Sequence, residues 1–241
     1  MTPWVKGGIL ILNLIKMPGR RTPLVTEEIY HILNRGVASQ LTFIDWRDYK
    51  RAIEVMVYYQ NIHFPQKYSI FLTQARKRRE EILRGLREKK EFWVEIIAYC
   101  FMPNHFHFLL KQKVDGGISK FLSNFANSYT RYFNARHHRE GHLFKGKFQA
   151  VRVESDEQLW HVSRYIHLNP YSSYVVKTLD DLVRYPYSSL PEYLGESKNE
   201  YCQKDVILAH FPTRKDYKKF VFDQADYQRS LEKAKHLWLE G

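Results

Sequence analysis

The chain has 241 residues, 44% of them hydrophobic and 15% aromatic, which excludes a mostly disordered polypeptide. Lys and Arg number 38 against 26 Asp and Glu, a formal charge of +12 that points to an anionic partner, either nucleic acid or an acidic membrane face. Cys100 and Cys202 form no CxxC, which excludes a disulfide scaffold and a cysteine-based zinc site and fits a reducing cytoplasm.

From the N-terminus, the apolar run Ile9 to Ile15 is broken by Asn13 and preceded only by Lys6. It is a poor signal peptide, and no run approaches the ~20 apolar residues of a membrane helix. Met17 is an alternative start that would leave 1–16 as an upstream extension. Residues 18–23, Pro-Gly-Arg-Arg-Thr-Pro, are turn-rich and basic, a lead-in to the fold. Ile29 to Leu33 reads as a strand closed by Asn34-Arg35-Gly36. Asp45 is placed to N-cap a helix through Tyr49, Ile53 and Val57, ended by Pro65. Residues 76–90 hold eight Lys or Arg and three Glu, a net +5, on an outer helix. That helix is either a solvated face with i,i+4 pairs or an arm that contacts phosphates.

Trp93 to Met102 is a β-rich apolar run, Pro103-Asn104 a turn, and His105 to Leu110 a second strand, together an antiparallel hairpin. Ile118, Phe121, Leu122, Phe125 and Tyr129 recur at helical spacing, and that helix ends near Asn134. Leu143 to Val153 alternates as a strand. Ser155-Asp156-Glu157 starts a helix that carries Leu159, Val162, Tyr165 and Ile166 and stops at Asn169-Pro170. The order β-α-β-β-α-β-α is an α+β chain with a ferredoxin-like antiparallel sheet and one added helix. After Val176 the pattern breaks into short helical pieces around Pro186, Pro191 and Pro212.

His105 and His107 stand at i and i+2, so on a strand both imidazoles share one face while Phe106 and Phe108 point to the other. Imidazole is a good ligand for a divalent cation. The bland alternative is two surface histidines on a half-exposed strand. A histidine-triad hydrolase needs a third His where Leu109 stands, and no second His-x-Ser/Thr pair supports a two-histidine phosphoesterase. On spacing alone Tyr165 is an aromatic core residue and Asn169-Pro170 a helix stop.

The segment Tyr99 to Leu110, with Met102-Pro103-Asn104-His105-Phe106-His107, resembles the HUH motif of the single-tyrosine transposases, in particular the REP-associated, IS200-like group. Tyr30-His31-Ile32-Leu33-Asn34-Arg35-Gly36 resembles that group's first strand, Gly141 to Phe148 its segment before the last helix, and Arg164-Tyr165-Ile166-His167-Leu168-Asn169-Pro170 its nucleophile helix. The likeness spans about residues 24–195.

The resemblance implies metal-dependent cleavage and transfer of single-stranded DNA through a 5′-phosphotyrosine intermediate, on hairpins with single-stranded flanks. It implies Tyr165 as nucleophile and Mg²⁺ or Mn²⁺ held by His105 and His107. Asn169 would be the third ligand, although relatives carry the longer Gln or a similar side chain there; His167 is held in reserve. Tyr129 and Tyr132 are the alternative nucleophiles. Arg35, Lys145, Lys147 and Arg152 are candidate phosphate contacts, each alone an ordinary surface cation. Phe144 and Phe148 either stack unpaired bases or pack in the core, and His137, His138 and His142 form a solvated basic loop.

On this reading residues 1–23 are the lead-in, 24–175 the catalytic unit with a charged helical insertion at 62–92, and 176–241 a helical extension. No membrane partner is expected, the location is cytoplasmic, and a monomer and a homodimer are both compatible with the resemblance. The non-enzymatic alternative is a basic DNA- or RNA-binding protein that keeps the fold.

Overall fold

Alternation of side chains along a strand lets one sheet bury two different faces, and this chain uses both. A computed structural model describes residues 23–239; the poor signal run at Ile9 to Ile15, the alternative start at Met17 and nearly all of the basic lead-in lie outside the described residues. Strands β1 (Ile29–Arg35), β2 (Val94–Met102), β3 (His105–Gln112) and β4 (Gln149–Arg152) form one antiparallel sheet in the order β2-β3-β1-β4. With its helices this is the expected α+β, ferredoxin-like arrangement. β1 pairs with β3 from Ile29–Lys111 to Arg35–His105, and with β4 from Tyr30–Arg152 to Leu33–Gln149.

Helix α1 (Trp46–Tyr59) starts where expected, because the Asp45 side chain accepts from the Arg47 and Asp48 amides. It stops six residues before Pro65. The Asn61 side-chain amide takes the Val57 and Tyr58 carbonyls at 3.0 and 3.1 Å and closes the last turn. A short helix α2 (Tyr68–Thr73), which no periodicity signals, precedes the charged helix α3 (Arg76–Lys89). Arg76 pairs with Glu80 at 2.8 Å and Arg78 with Glu81 at 3.1 Å, as a solvated face should. Arg79 and Arg87 instead border a cavity of about 990 Å³ between α1, α2, α3 and residues 198–205, which contains none of the candidate site residues.

Helix α4 (Gly117–Arg136) packs with α1 on one face of the sheet. There Phe106 and Phe108 meet Phe125 with ring centroids 5.3 and 5.5 Å apart. Phe125 is fully buried. Phe125→Ala is expected to cost about 3–5 kcal/mol, read as a lowered denaturant midpoint with an unchanged slope. The Arg136 guanidinium binds Asp45 and Asp48, and the His137 ring binds Asp48 at 3.0 Å, so the end of α4 is tied to the start of α1. His137 is therefore a helix-end contact rather than part of a solvated loop.

The long strand expected from Leu143 to Val153 is shorter. Only Gln149–Arg152 pairs as a strand, and Phe144 makes a single bridge to Gly36. Between them Lys145, Gly146 and Lys147 are exposed and have no apolar face to bury.

Helix α5 (Asp156–Ser172) has the expected start, with Ser155 accepting from the Gln158 amide. It does not stop at Asn169-Pro170. Proline's fixed φ suits a helix, and the turn beyond it closes through the Ser173 amide on the Asn169 carbonyl at 3.0 Å.

The C-terminal residues form α6 (Leu179–Val183), α7 (Leu190–Leu194), α8 (Asp205–Leu208), α9 (Arg214–Phe222) and α10 (Ala225–Leu239). The chain leading through them covers the free edge of β2. The Phe101 amide donates to the Tyr187 carbonyl at 2.9 Å, the Ser189 amide to Tyr99 at 2.9 Å, and the Gln203 amide to Ile96 at 2.8 Å. An edge strand that would otherwise offer unpaired groups to another chain is thereby satisfied. No helix among the described residues is long and apolar enough to cross a membrane.

Candidate active site

The face of β1 and β3 opposite the phenylalanine core carries His31, Leu33, Arg35, His105 and His107. Arg35 stands directly across from His105, and Leu33 across from His107. Helix α5 lies over β2 and β3, and α9 and α10 cover α5 from outside. This double covering explains why residues 162–172 are buried on every side. The histidine pair is therefore not on a half-exposed surface: His105 is 8% exposed and His107 2%.

Tyr165 and Asn169, one turn apart on α5, meet the pair. The Tyr165 ring stands edge-on to His107, with centroids 5.5 Å apart at 90°. The Asn169 side chain lies within hydrogen-bonding reach of both the His105 ring and the Tyr165 hydroxyl. Its amide nitrogen also donates to the Tyr165 carbonyl at 3.0 Å. Two imidazoles, a side-chain amide and a phenol thus converge between one strand and one helix.

Two hydrogen bonds orient the imidazoles. His105 Nδ1 lies 2.6 Å from Asn104 Oδ1, and His107 Nδ1 lies 2.9 Å from His31 Nε2. The turn that presents Asn104 is itself pinned. The Asn104 carbonyl accepts from the Gly36 amide at 2.8 Å, and the Pro103 carbonyl from the Thr42 and Phe43 amides at 2.8 and 3.0 Å. Gly36 is required there because an added Cβ would run into the Gln40 carbonyl oxygen. Gly36→Ala is expected to cost about 1–3 kcal/mol, measured by chemical denaturation, because the 36–43 segment must shift away from the turn.

Burial dominates the electrostatics. It lowers the His105 pKa to about 3, helped by the Arg35 charge and opposed by the Asn169 hydrogen bond. Burial also lowers His31 to about 4. Neutral imidazole is the form that binds a metal. Burial, and then the Glu232 carboxylate of α10, raise the Tyr165 phenol above the usual tyrosine range, while Asn169 and Arg35 pull the other way.

Residues 55–169 match the family described as transposase IS200-like. Over those residues the chain is similar to the IS200-like transposases. No curated protein matches the chain. Among solved structures, one described as the REP-associated tyrosine transposase bound to a REP hairpin matches with a TM-score of 0.49 and 12% identity, over 77% of this chain and 90% of that one.

The alternative residues fall away from the site. His167 is fully buried, with Nδ1 2.8 Å from the Tyr217 hydroxyl and Nε2 2.8 Å from Ser189 Oγ, so both its nitrogens are engaged elsewhere. Tyr129 donates to the Thr42 carbonyl at 2.6 Å within the phenylalanine core. Tyr132, also on α4, lies under the Arg51 guanidinium at 4.4 Å from the ring. Neither tyrosine is on the histidine face.

Of the four candidate phosphate contacts, Arg35 reaches the rim, where its charge acts on His105 and Tyr165. Lys145 and Lys147 are exposed beside the end of β1, where the Lys145 amide donates to the Arg35 carbonyl at 2.8 Å. Arg152 is not brought to the site. It stands opposite Tyr30, on the core side of the sheet, and is paired with Glu28 at 2.5 Å. Phe144 packs against Phe106 at 5.3 Å between centroids, a core role rather than base stacking. His31 and Asn104 were missed as site residues. Their signal was available, because His31 has the strand parity of Leu33 and Arg35, and Asn104 adjoins the first histidine.

Proposed function

We propose that this chain is a single-tyrosine transposase that cleaves and rejoins single-stranded DNA through a covalent 5′-phosphotyrosine. The observation that carries the reading is the convergence of His105, His107, Asn169 and Tyr165 across the gap between β3 and α5. The family of residues 55–169 supports the reaction class.

The residues fit a divalent cation. Each histidine has Nδ1 hydrogen-bonded to a neighbour, so Nε2 would be its donor to the ion, and the Asn169 amide would add an oxygen. No group of three His, Cys, Asp or Glu suited to a metal occurs among the described residues, so the proposed set is two imidazoles and an amide. Mg²⁺ or Mn²⁺ held there would polarise the scissile phosphate as a Lewis acid.

The Tyr165 oxygen then attacks phosphorus. Its O–H proton leaves to solvent, the new O–P bond forms, and the bond to the 3′ oxygen breaks. That oxygen takes up a proton and departs as a 3′-hydroxyl. A second 3′-hydroxyl reverses the step and rejoins the strand, so covalent catalysis conserves the phosphodiester. Arg35 at the rim, with Lys145 and Lys147 beside it, would hold the flanking phosphates. The substrate in this reading is single-stranded DNA flanking a hairpin.

The test is a denaturing gel of the parent chain with labelled hairpin-flanked single strands in Mn²⁺ or EDTA. A protein–DNA adduct that forms in Mn²⁺ and is absent in EDTA is expected. Tight binding without an adduct on any flanking strand would instead favour a DNA-binding protein that retains only the fold.

A further inference from the structure

The two histidines can serve one ion only if each ring turns toward it a nitrogen that carries a lone pair. A neutral imidazole has a single lone pair, and the tautomer decides which nitrogen carries it. In most metal sites a neighbouring acceptor makes that choice.

Asn104 settles it for His105. The Asn104 side-chain nitrogen donates to the Ser39 carbonyl at 3.3 Å, which fixes the end of the amide that is oxygen. That oxygen is an acceptor only, so His105 Nδ1 at 2.6 Å must be the donor. The lone pair of His105 is then on Nε2.

His31 stands in the same relation to His107. The rings are stacked with centroids 5.2 Å apart and an interplanar angle of 18°. His31 Nε2 lies 2.9 Å from His107 Nδ1, so one of the two nitrogens carries the proton between them. If it is on His107 Nδ1, the His107 lone pair is on Nε2, matching His105. His31 belongs to β1, outside the residues that match the transposase family.

We propose that His31 and Asn104 are positioning residues: they hold His107 and His105 in the Nδ1–H tautomer, so that both rings offer Nε2 to one divalent cation. This rests on the metal-site reading above. It makes β1 part of the metal centre and gives the Pro103-Asn104 turn a role beyond reversing the chain.

The experiment uses the full chain and reads Mn²⁺ affinity by calorimetry, together with ¹⁵N spectra of the imidazole nitrogens. His31→Phe keeps the ring volume and removes the acceptor, whereas His31→Gln places an amide near the position of Nε2. Asn104→Ala and Asn104→Asp make the same contrast at the half-buried turn. His31→Phe and Asn104→Ala are each expected to weaken Mn²⁺ binding by about 10–100-fold, with His31→Gln and Asn104→Asp within about threefold of the parent. The parent spectra should show protonated Nδ1 on His105 and His107. His31→Phe should mix the tautomers of His107 alone, and Asn104→Ala those of His105 alone.

Rescue by Gln and Asp separates positioning from a merely structural role, and thermal melts confirm that each variant is folded. Should His31→Phe fail to fold, the Asn104 pair carries the same test. Unchanged affinity and spectra in folded Asn104→Ala or His31→Phe would overturn the inference while leaving the metal site intact. A parent that takes up no Mn²⁺ that His107→Ala abolishes would overturn the metal site, and the inference with it.

Discussion

Tyr165→Phe is expected to remove the covalent protein–DNA adduct altogether, lowering strand cleavage by on the order of 10⁴-fold or more while leaving DNA affinity close to that of the parent. The substitution deletes one oxygen and keeps the ring that meets His107 and His31 at 5.5 and 5.9 Å between centroids. The packing of α5 against the sheet therefore survives, and a loss of cleavage reports on the nucleophile rather than on folding. A nucleophile is an all-or-none component, since neither solvent nor a neighbouring residue can form the same covalent intermediate. Gel-resolved adduct and fluorescence anisotropy on one labelled strand make both measurements. If the adduct persists in Tyr165→Phe, another tyrosine carries it. Tyr129 and Tyr132 lie across the sheet from the histidines, so that result would also detach the chemistry from the histidine face.

His107→Ala is expected to abolish metal-dependent cleavage, by on the order of 10³-fold, and to remove Mn²⁺ binding seen by calorimetry. His107 is 2% exposed and sits between His31 and Tyr165, so its loss opens a cavity as well as deleting the proposed ligand. Two controls separate these effects. His107→Gln fills much of the space with a poorer donor, and a melting curve reads the cavity. Loss of Mn²⁺ binding in a folded His107→Gln variant assigns the ligand. Undiminished Mn²⁺-dependent cleavage in that variant would remove the histidine pair from the mechanism.

The fold was readable because its signals are local. Asp45 and Ser155 as N-caps, the Pro103-Asn104 turn and the alternation His105-Phe106-His107-Phe108 each depend on nearest neighbours, and each appears where the residues placed it. What was misread depends on partners far along the chain. Helix α1 ends at Tyr59 because Asn61 folds back on it, so Pro65 is not its terminator. Residues 143–148 alternate like a strand but find one bridge only, at Gly36. Helix α5 passes Pro170 because α10 covers it, with Gln228 donating to the Tyr165 carbonyl at 3.2 Å.

The convergence of Tyr165, Asn169 and the histidine pair follows from i,i+2 and i,i+4 spacing once α5 lies on the histidine face. Spacing could not supply that docking. Nor could it tell which of Asn169 and His167 faces the histidine pair: the structure engages both nitrogens of His167 with Tyr217 and Ser189. Arg152 looked like Lys145 and Lys147 in the sequence. Its register opposite Tyr30 sends it to the other face, which only strand pairing reveals.

The central claim is that Tyr165 forms the bond to DNA within reach of His105 and His107. Its most direct test is peptide mapping of the adduct trapped from the parent chain with single-stranded DNA and Mn²⁺. After nuclease and protease digestion, mass spectrometry should find the residual 5′-nucleotide on the peptide that contains Tyr165, and on no other tyrosine peptide. A nucleotide on Tyr129, Tyr132 or any tyrosine away from the histidine face would contradict the account.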